Sequence, residues 1–212
     1  MKQAFYFHKK TILIFTLLLF HSIGFIGISF KDTHNYFLSL SFFNLLLSFC
    51  ILILAREKQS FKFYLFVFFC SIYGMTVEWI GVHTHYLFGN YNYGTNLGAK
   101  IGGVPLIIGI NWCVLTISTN AVAHYITTKW WLHILISCGL MVGIDFLIEP
   151  FAVKSNYWSW QNNTIPLYNY FCWFFVSIPI HYLYFRMGLN EQNIVSRCLF
   201  FVLMLFFFLL IF

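Results

Sequence analysis

"FKFYLFVFFCSIYGMTVEWIGVHTHYLFGNYNYGTNLGAKIGGVP", residues 61–105, passes from an apolar run into a stretch of polar and glycine residues. Residues 61–80 have the length, about 20 residues, that an α-helix needs to cross the hydrocarbon core of a bilayer. Residues 76–105 contain one glutamate, two histidines, three tyrosines and six glycines. The stretch therefore predicts a membrane-spanning helix that leads into a loop rich in polar chemistry.

The composition of the whole chain is typical of a membrane protein. Of its 212 residues, 60% are hydrophobic and only 8% are charged, whereas a soluble domain carries roughly 25% charged residues. Lipid must therefore cover much of the surface, and helices satisfy the backbone polar groups within lipid. We predict an all-α fold: a polytopic transmembrane helical bundle that forms one integral membrane domain over residues 1–212.

Seven apolar segments are candidate spans: residues 11–30, 36–55, 61–80, 104–124, 130–149, 167–185 and 194–212. Basic residues are enriched on the cytoplasmic side of membrane proteins. With seven spans, nine of the 12 Lys and Arg residues fall on the side of the N-terminus and three on the other. This predicts a multi-pass protein of the plasma (inner) membrane with a cytoplasmic N-terminus and an outside C-terminus. Two polar loops, residues 81–103 and 150–166, then share the outer face.

The formal net charge of +6 does not indicate a nucleic-acid partner, because the basic residues lie between apolar runs and form no basic surface. The expected surroundings are membrane lipid. The six cysteines lie in or beside apolar runs without CxxC spacing, which predicts neither a disulfide framework nor a zinc site. The oligomeric state is left open by the sequence.

Three acidic residues lie near the ends of predicted spans. Glu78 follows fifteen uncharged residues, Asp145 follows fifteen more, and Glu149 comes one helical turn later on the same face. Pro150 is expected to end that helix. An ionised carboxylate at the bilayer centre costs at least about 2.5 kcal/mol, and removal from water favours the protonated form. These acids are therefore candidate proton donors; the alternative is that they only hydrogen-bond neighbouring helices or Lys100.

His83 and His85 lie in the first polar loop and are candidate metal ligands together with Glu78. The H-x-H spacing is a weak signal, and histidines beside tyrosines more often form interfacial hydrogen bonds, so we predict no metal. The other six histidines are scattered singly, which disfavours an oxygenase that uses a His cluster. The loop glycines match no phosphate-binding pattern and favour tight turns instead.

Tyr157, Trp158 and Trp160 give the second polar loop an aromatic character. The favoured interpretation is an interfacial belt, where aromatic rings collect at the edge of the membrane. The alternative is that the flat rings line a slot for a long conjugated ligand, with faces that stabilise a cation.

Two ordered blocks of residues resemble a known family. The first block comprises Glu78, Gly81–Val82, Phe88–Gly89, Tyr91, Tyr93, Leu97–Gly98, Gly103–Val104–Pro105 and Trp112. The second comprises Asp145, Glu149–Pro150, Trp158, Trp160, Ile165–Pro166, Asn169 and Trp173. Together, over residues 60–185, they resemble the membrane carotenoid biosynthesis proteins that include the carotenoid 1′,2′-hydratases.

The resemblance implies addition of water to the terminal C1′=C2′ double bond of an acyclic carotenoid, without a cofactor. From the positions of the acids we expect Glu78, Asp145 and Glu149 to be catalytic, with either Asp145 or Glu78 donating the proton and the other orienting the water. The expected substrate-binding residues are His83, His85, Tyr91, Tyr93, Trp112, Trp158, Trp160, Asn169 and Trp173.

Three other functions fit the same features. A carotenoid or isoprenoid cyclase or isomerase also begins by protonating an alkene. A proton-coupled transporter also uses acids within the membrane, although paired broken helices and repeat symmetry are not evident. A carotenoid-binding protein without catalysis is the third alternative.

Overall fold

A computed structural model describes the backbone of residues 2–212 and the side chains of residues 8–212. The helices are α1 (Lys2–Ser29), α2 (His34–Ser39), α3 (Ser41–Ala55), α4 (Phe61–Thr84), α5 (Ile107–Ile126), α6 (Trp130–Lys154), α7 (Leu167–Arg186) and α8 (Ile194–Ile211). The short strands are β1 (Tyr91–Tyr93), β2 (Lys100–Ile101), β3 (Val104–Pro105) and β4 (Trp158–Trp160), followed by a 3-10 turn, Gln161–Asn163. The predicted helical membrane bundle is confirmed.

Five helices in the described part of the chain are long and apolar enough to cross a membrane: His8–Ser29, Phe61–Thr84, Ile107–Ile126, Trp130–Lys154 and Ile194–Ile211. The predicted number of seven spans is not confirmed. The predicted span 36–55 is divided at Leu40 into α2 and α3, and α3 has only 15 residues, about 22 Å at the helical rise. α7 has 20 residues but carries the buried polar residues Asn169, Ser177 and His181, which lower its hydropathy.

Pro150 does not end its helix as expected, because α6 continues to Lys154. Proline removes one backbone donor and crowds the preceding turn, but within membranes packed neighbours allow a helix to continue past it. The extra turn carries α6 directly into the second polar loop. The Ser155 backbone N–H donates to the Phe151 carbonyl at 2.8 Å where the helix ends.

The centre of the bundle is α5, in which residues 112–123 are all buried. It packs against α3, α4, α6, α7 and α8, and a helix that is covered on every side has no face for lipid or water. Glycine allows α4 to approach α5 closely, since a Cβ at Gly74 would lie 2.4 Å from the Trp112 ring. Small residues at such crossings are typical of membrane helices.

The two polar loops meet at one end of the bundle, which we name the loop end. β1 pairs antiparallel with β4, with Tyr91 opposite Trp160 and Tyr93 opposite Trp158. Side chains alternate between the two faces of a strand, so these four aromatic residues share one face while Asn92 is exposed on the other. The prediction that both loops emerge on the same side of the bundle is confirmed.

A second hairpin joins β2 to β3 at the loop end, with Lys100 opposite Pro105. Its two turn residues, Gly102 and Gly103, have φ of 54° and 78°. Positive φ at both central positions is the requirement of the tight two-residue hairpin turn, which glycine meets without strain. Gly102 and Gly103 therefore allow a tight turn, which is the role that the sequence predicts for glycines of this loop.

We expect Gly74→Ala to destabilise the protein by about 1–3 kcal/mol, because the added methyl group overlaps the base of the Trp112 side chain, which cannot move freely. Gly139→Ala is the matched control, since a Cβ at Gly139 meets nothing within 4 Å. Thermal unfolding of both variants in detergent micelles measures the difference. Equal melting temperatures for the two variants would contradict the close α4–α5 contact.

Candidate functional site

Three carboxyl groups from two helices are buried around one small cavity at the loop end. Glu78 lies near the end of α4, and Asp145 and Glu149 lie one turn apart near the end of α6. Their exposed fractions are 3%, 3% and 2%. All three line a cavity of about 30 Å³, which we name the acid chamber. This volume has room for about one water molecule.

Glu78 is held by three hydrogen-bond donors. The Tyr91 and Tyr93 hydroxyls donate to its Oε2 at 2.6 and 2.8 Å, and the Trp112 indole N–H donates to its Oε1 at 3.2 Å. Both tyrosines come from β1 and the tryptophan comes from α5. All three partners are neutral, so Glu78 is satisfied without a neighbouring cation.

Tyr91 and Tyr93 act as donors over the whole physiological pH range. Burial raises the pKa of both phenols far above the ordinary value for tyrosine, and the nearby Glu78 carboxyl group raises it further. A phenol that stays protonated keeps its O–H for the carboxylate. The two tyrosines therefore form a permanent hydrogen-bonded support for Glu78.

Glu149 is held in the same way by the second polar loop. The indole N–H groups of Trp158 and Trp160 donate to its Oε2 at 2.9 and 2.8 Å, and the Asn169 amide donates to its Oε1 at 3.2 Å. Trp160 is buried. The interpretation of these two tryptophans as an interfacial belt therefore does not hold, because both indoles are directed towards a buried carboxyl group.

Asp145 differs from the other two acids in its hydrogen bonding. Its single partner among residues 8–212 is the Asn169 amide, which donates to Oδ2 at 3.1 Å and bridges Asp145 to Glu149. Glu78 and Glu149 each accept from three side chains. Asp145 is therefore the acid that is least compensated by the protein, and it lines the acid chamber.

Aromatic rings form much of the wall around the acids. Trp112 and Trp173 are stacked with ring centres 4.8 Å apart, and Phe88 lies 5.5 Å from Trp173. Tyr91 lies 5.0 Å from Trp160. The indole edges of Trp112, Trp158 and Trp160 donate to the acids, whereas ring faces carry partial negative charge and attract cations.

A larger apolar cavity of about 520 Å³ lies beside the acid chamber. This apolar groove is formed by α1, α2, α3, α5, α6 and α8, with Phe20, Ile28, Phe43, Leu115 and Phe207 among its walls. Its volume falls within the range of small-molecule binding sites. Four residues line both cavities: Ile108, Asn111, Ile148 and Trp158. The groove and the chamber are therefore adjacent.

Most of the residues predicted from the sequence meet at this site. The acid chamber is lined by Glu78, Tyr91, Tyr93, Asp145, Glu149, Trp158, Asn169 and Trp173. Trp112 and Trp160 contact the acids from behind this lining.

His83 and His85 do not line the acid chamber or the groove; both are exposed. His83 stacks on Trp79 with ring centres 4.5 Å apart. Lys100 donates to the Tyr93 carbonyl at 2.6 Å and forms no ion pair with the buried acids. Within residues 8–212 no group of three or more His, Cys, Asp or Glu residues could hold a metal ion.

The sequence did not predict the role of Asn111, Ile108, Ile148 or Phe88 as lining residues. Ile108 and Ile148 are apolar residues in apolar segments and carry no signal, whereas Phe88 belongs to the first block of the resemblance but was not assigned to the site. Asn111 did carry a signal, because it is an amide in an otherwise apolar stretch of a membrane helix.

The fold and the site together define a multi-pass helical membrane protein with a buried acidic chamber beside an apolar groove. Residues 36–212 match the family described as carotenoid biosynthesis protein, and the chain belongs to this family. It is also similar to the bisanhydrobacterioruberin hydratase of Haloarcula japonica, with 25% identity over 140 residues. That match covers 60% of this chain but only 46% of the relative. No solved structure matches the chain.

We expect Trp160→Phe to destabilise the protein by about 1–3 kcal/mol, because it removes a donor from the buried Glu149 carboxyl group and replaces the indole by a smaller ring. Trp79→Phe is the control, since the Trp79 side chain is exposed and contacts none of the acids. Denaturation of both variants in micelles measures the effect. A Trp160→Phe protein as stable as the control would show that this hydrogen bond contributes nothing.

Proposed function

We propose that this protein is a carotenoid 1′,2′-hydratase, an enzyme that adds water to the terminal double bond of an acyclic carotenoid by acid catalysis. The observation that carries the proposal is a water-sized chamber with three buried acids that adjoins a long apolar groove. The family and the similarity to a hydratase agree with it. A hydratase for an apolar chain needs both compartments, one for the hydrocarbon and one for the water.

The polyene chain lies in the apolar groove, and its terminal double bond reaches the opening of the acid chamber at the four shared residues. Burial of apolar surface favours this placement at roughly 25 cal/mol per Å². The groove walls are mostly apolar, with a few polar residues such as His21, Asn44 and Ser48, and they contain no carboxyl group. Only the terminal double bond reaches the acids, which accounts for reaction at the end of the chain.

Asp145 is the proton donor. Its carboxylic O–H bond breaks as the proton forms a new C–H bond at C2′, and the electron pair of the double bond leaves a tertiary cation at C1′. A water molecule then forms a C–O bond at C1′ and loses a proton to the Glu149 carboxylate. Asp145 suits the first step because it has the fewest hydrogen bonds that stabilise its charged form. General acid–base catalysis contributes about 10²–10⁴-fold.

Glu78 and the aromatic wall stabilise the cation. Glu78 keeps three donors in place throughout the reaction, so no reorganisation is needed when positive charge develops nearby. The faces of Trp173 and Phe88 add a cation–π contribution, worth about 2 kcal/mol or more when water is excluded. Asn169 donates to both Asp145 and Glu149 and holds the two carboxyl groups beside each other, and a water molecule in the acid chamber carries the proton from Glu149 back to Asp145.

Asp145→Asn tests the mechanism most directly. The variant keeps the shape of the side chain but cannot donate a carboxylic proton, and we expect hydration to fall at least 100-fold. The measurement is mass analysis of pigments from cells that accumulate lycopene, an acyclic carotenoid, grown in ¹⁸O-labelled water. The wild type should yield a labelled tertiary alcohol.

Asp32→Asn is the matched control, because Asp32 is an exposed acid in a loop far along the chain from the chamber residues. It should retain full activity. An alcohol without the ¹⁸O label would refute hydration, because its oxygen would not come from water. A product of unchanged mass would indicate an isomerase or cyclase, and full activity of Asp145→Asn would exclude Asp145 as the donor.

We also propose that the protein resides in the plasma membrane with a cytoplasmic N-terminus and an outside C-terminus, which places the loop end on the outer face. With the seven spans that the sequence predicts, nine of the 12 Lys and Arg residues lie on the cytoplasmic side. Alkaline phosphatase, which is active only outside the cytoplasm, should be active when fused after Phe212 and inactive when fused after Lys58. Inactivity at the C-terminus would refute this orientation, in which the two termini lie on opposite sides of the membrane.

A further inference from the structure

Asn111 occupies the boundary between the acid chamber and the apolar groove. It is one of four residues that line both cavities. Of the other three, Ile108 and Ile148 are apolar, and the Trp158 N–H is engaged by Glu149. Asn111 is therefore the boundary residue with a polar group that remains free to bind something within the cavities.

The Asn111 amide has no hydrogen-bond partner among the side-chain and backbone groups of the described residues, and it is half-buried in the first turns of α5. Polar groups within a protein normally bond to protein or to ordered water, so water in the cavities is the available partner for this amide. An amide carries one acceptor and two donor hydrogens. The chamber beside it has room for about one water molecule.

The position on α5 also fixes the direction of the side chain. Ile108, Asn111 and Leu115 follow one another at helical spacing and all line the apolar groove, so they lie on one face of α5. The next residue, Trp112, lies about 100° further round the helix and donates to Glu78. The helix thus presents the amide to the cavities while its neighbour holds an acid.

We propose that Asn111 is the residue that positions the attacking water. This inference rests on the proposed hydration. The Asn111 carbonyl oxygen accepts one hydrogen of the water and leaves an oxygen lone pair directed at C1′ of the substrate cation. That lone pair forms the C–O bond, and the second hydrogen passes as a proton to Glu149. Asn111 is a positioning residue, because it acts through the water and takes up no proton itself.

Whether the amide holds a water molecule beside the cation determines which product forms. With water held in place, the cation forms an alcohol; without it, the cation returns a proton to a carboxylate and becomes an alkene again. Loss of Asn111 should therefore uncouple protonation of the alkene from capture of the cation by water, which follow one another in the wild type. Protonation by Asp145 continues, whereas capture by water declines.

The experiment uses membranes that contain the full chain, supplied with lycopene in phospholipid vesicles and suspended in D₂O. Mass analysis measures two quantities: the alcohol that forms, and the deuterium that enters the recovered alkene. For Asn111→Leu, which has a similar volume but no polar group, we expect the alcohol to fall at least 10-fold. Deuterium in the alkene should persist or rise, so the ratio of exchange to hydration increases at least 10-fold.

Asn111→Ser supplies a hydroxyl group that also binds water, and it should restore part of the alcohol and lower the ratio again. If the leucine variant does not accumulate, Asn111→Ser still tests the proposal, because its ratio of exchange to hydration should exceed that of the wild type. Asn92→Leu is the control, because Asn92 is exposed on the outer face of β1. It should match the wild type in both quantities.

A parallel fall of exchange and hydration in folded Asn111→Leu would overturn the inference, because it would mean that Asn111 only supports the site. Unchanged values in both measurements would overturn it as well. If the wild type shows neither alcohol nor deuterium exchange, the proposed function itself fails, and this result is distinct from either failure of Asn111.

Discussion

A carboxyl group that leaves water must find hydrogen-bond donors within the protein, because an unsatisfied buried charge costs several kcal/mol. The loop end of this bundle is arranged around that requirement. Two of its three acids each accept from three side chains, and every donor is neutral. Neither ion pair found among residues 8–212 involves these acids. The site is therefore satisfied in hydrogen bonds but not in charge, and such a site attracts a developing cation.

The same requirement explains why the two polar loops form a small sheet. Tyr91 and Tyr93 hold Glu78, while Trp158 and Trp160 hold Glu149. β1 and β4 pair in a register that places these four side chains on one face. A shift of one residue would turn them away from the acids. The strand pairing thus supports two carboxyl groups at once, and one sheet links α4 to α6.

Hydration of an alkene has two requirements, and the groove and the chamber each meet one of them. Protonation of an isolated double bond is difficult, so the acid has to be dry and little stabilised in its charged form, as Asp145 is. Capture of the cation needs water, but only in one position. A chamber with room for about one water molecule, next to a groove lined by hydrocarbon, meets both needs. An isomerase would share the first step and would have no use for a held water.

The sequence by itself determined the helical membrane class, the two loops at one end and the three acids. Long apolar runs, interrupted by Glu78, Asp145 and Glu149, are local signals that hold whatever the packing. Only the tertiary structure decided the number of helices with the length and hydropathy of a span, the continuation of α6 past Pro150, and the exclusion of His83 from the site. It also decided which acid has the fewest donors and which amide lies between two cavities. The physical reason is that hydrogen-bond partners and cavity walls come from residues far apart in the chain, and only packing brings them together.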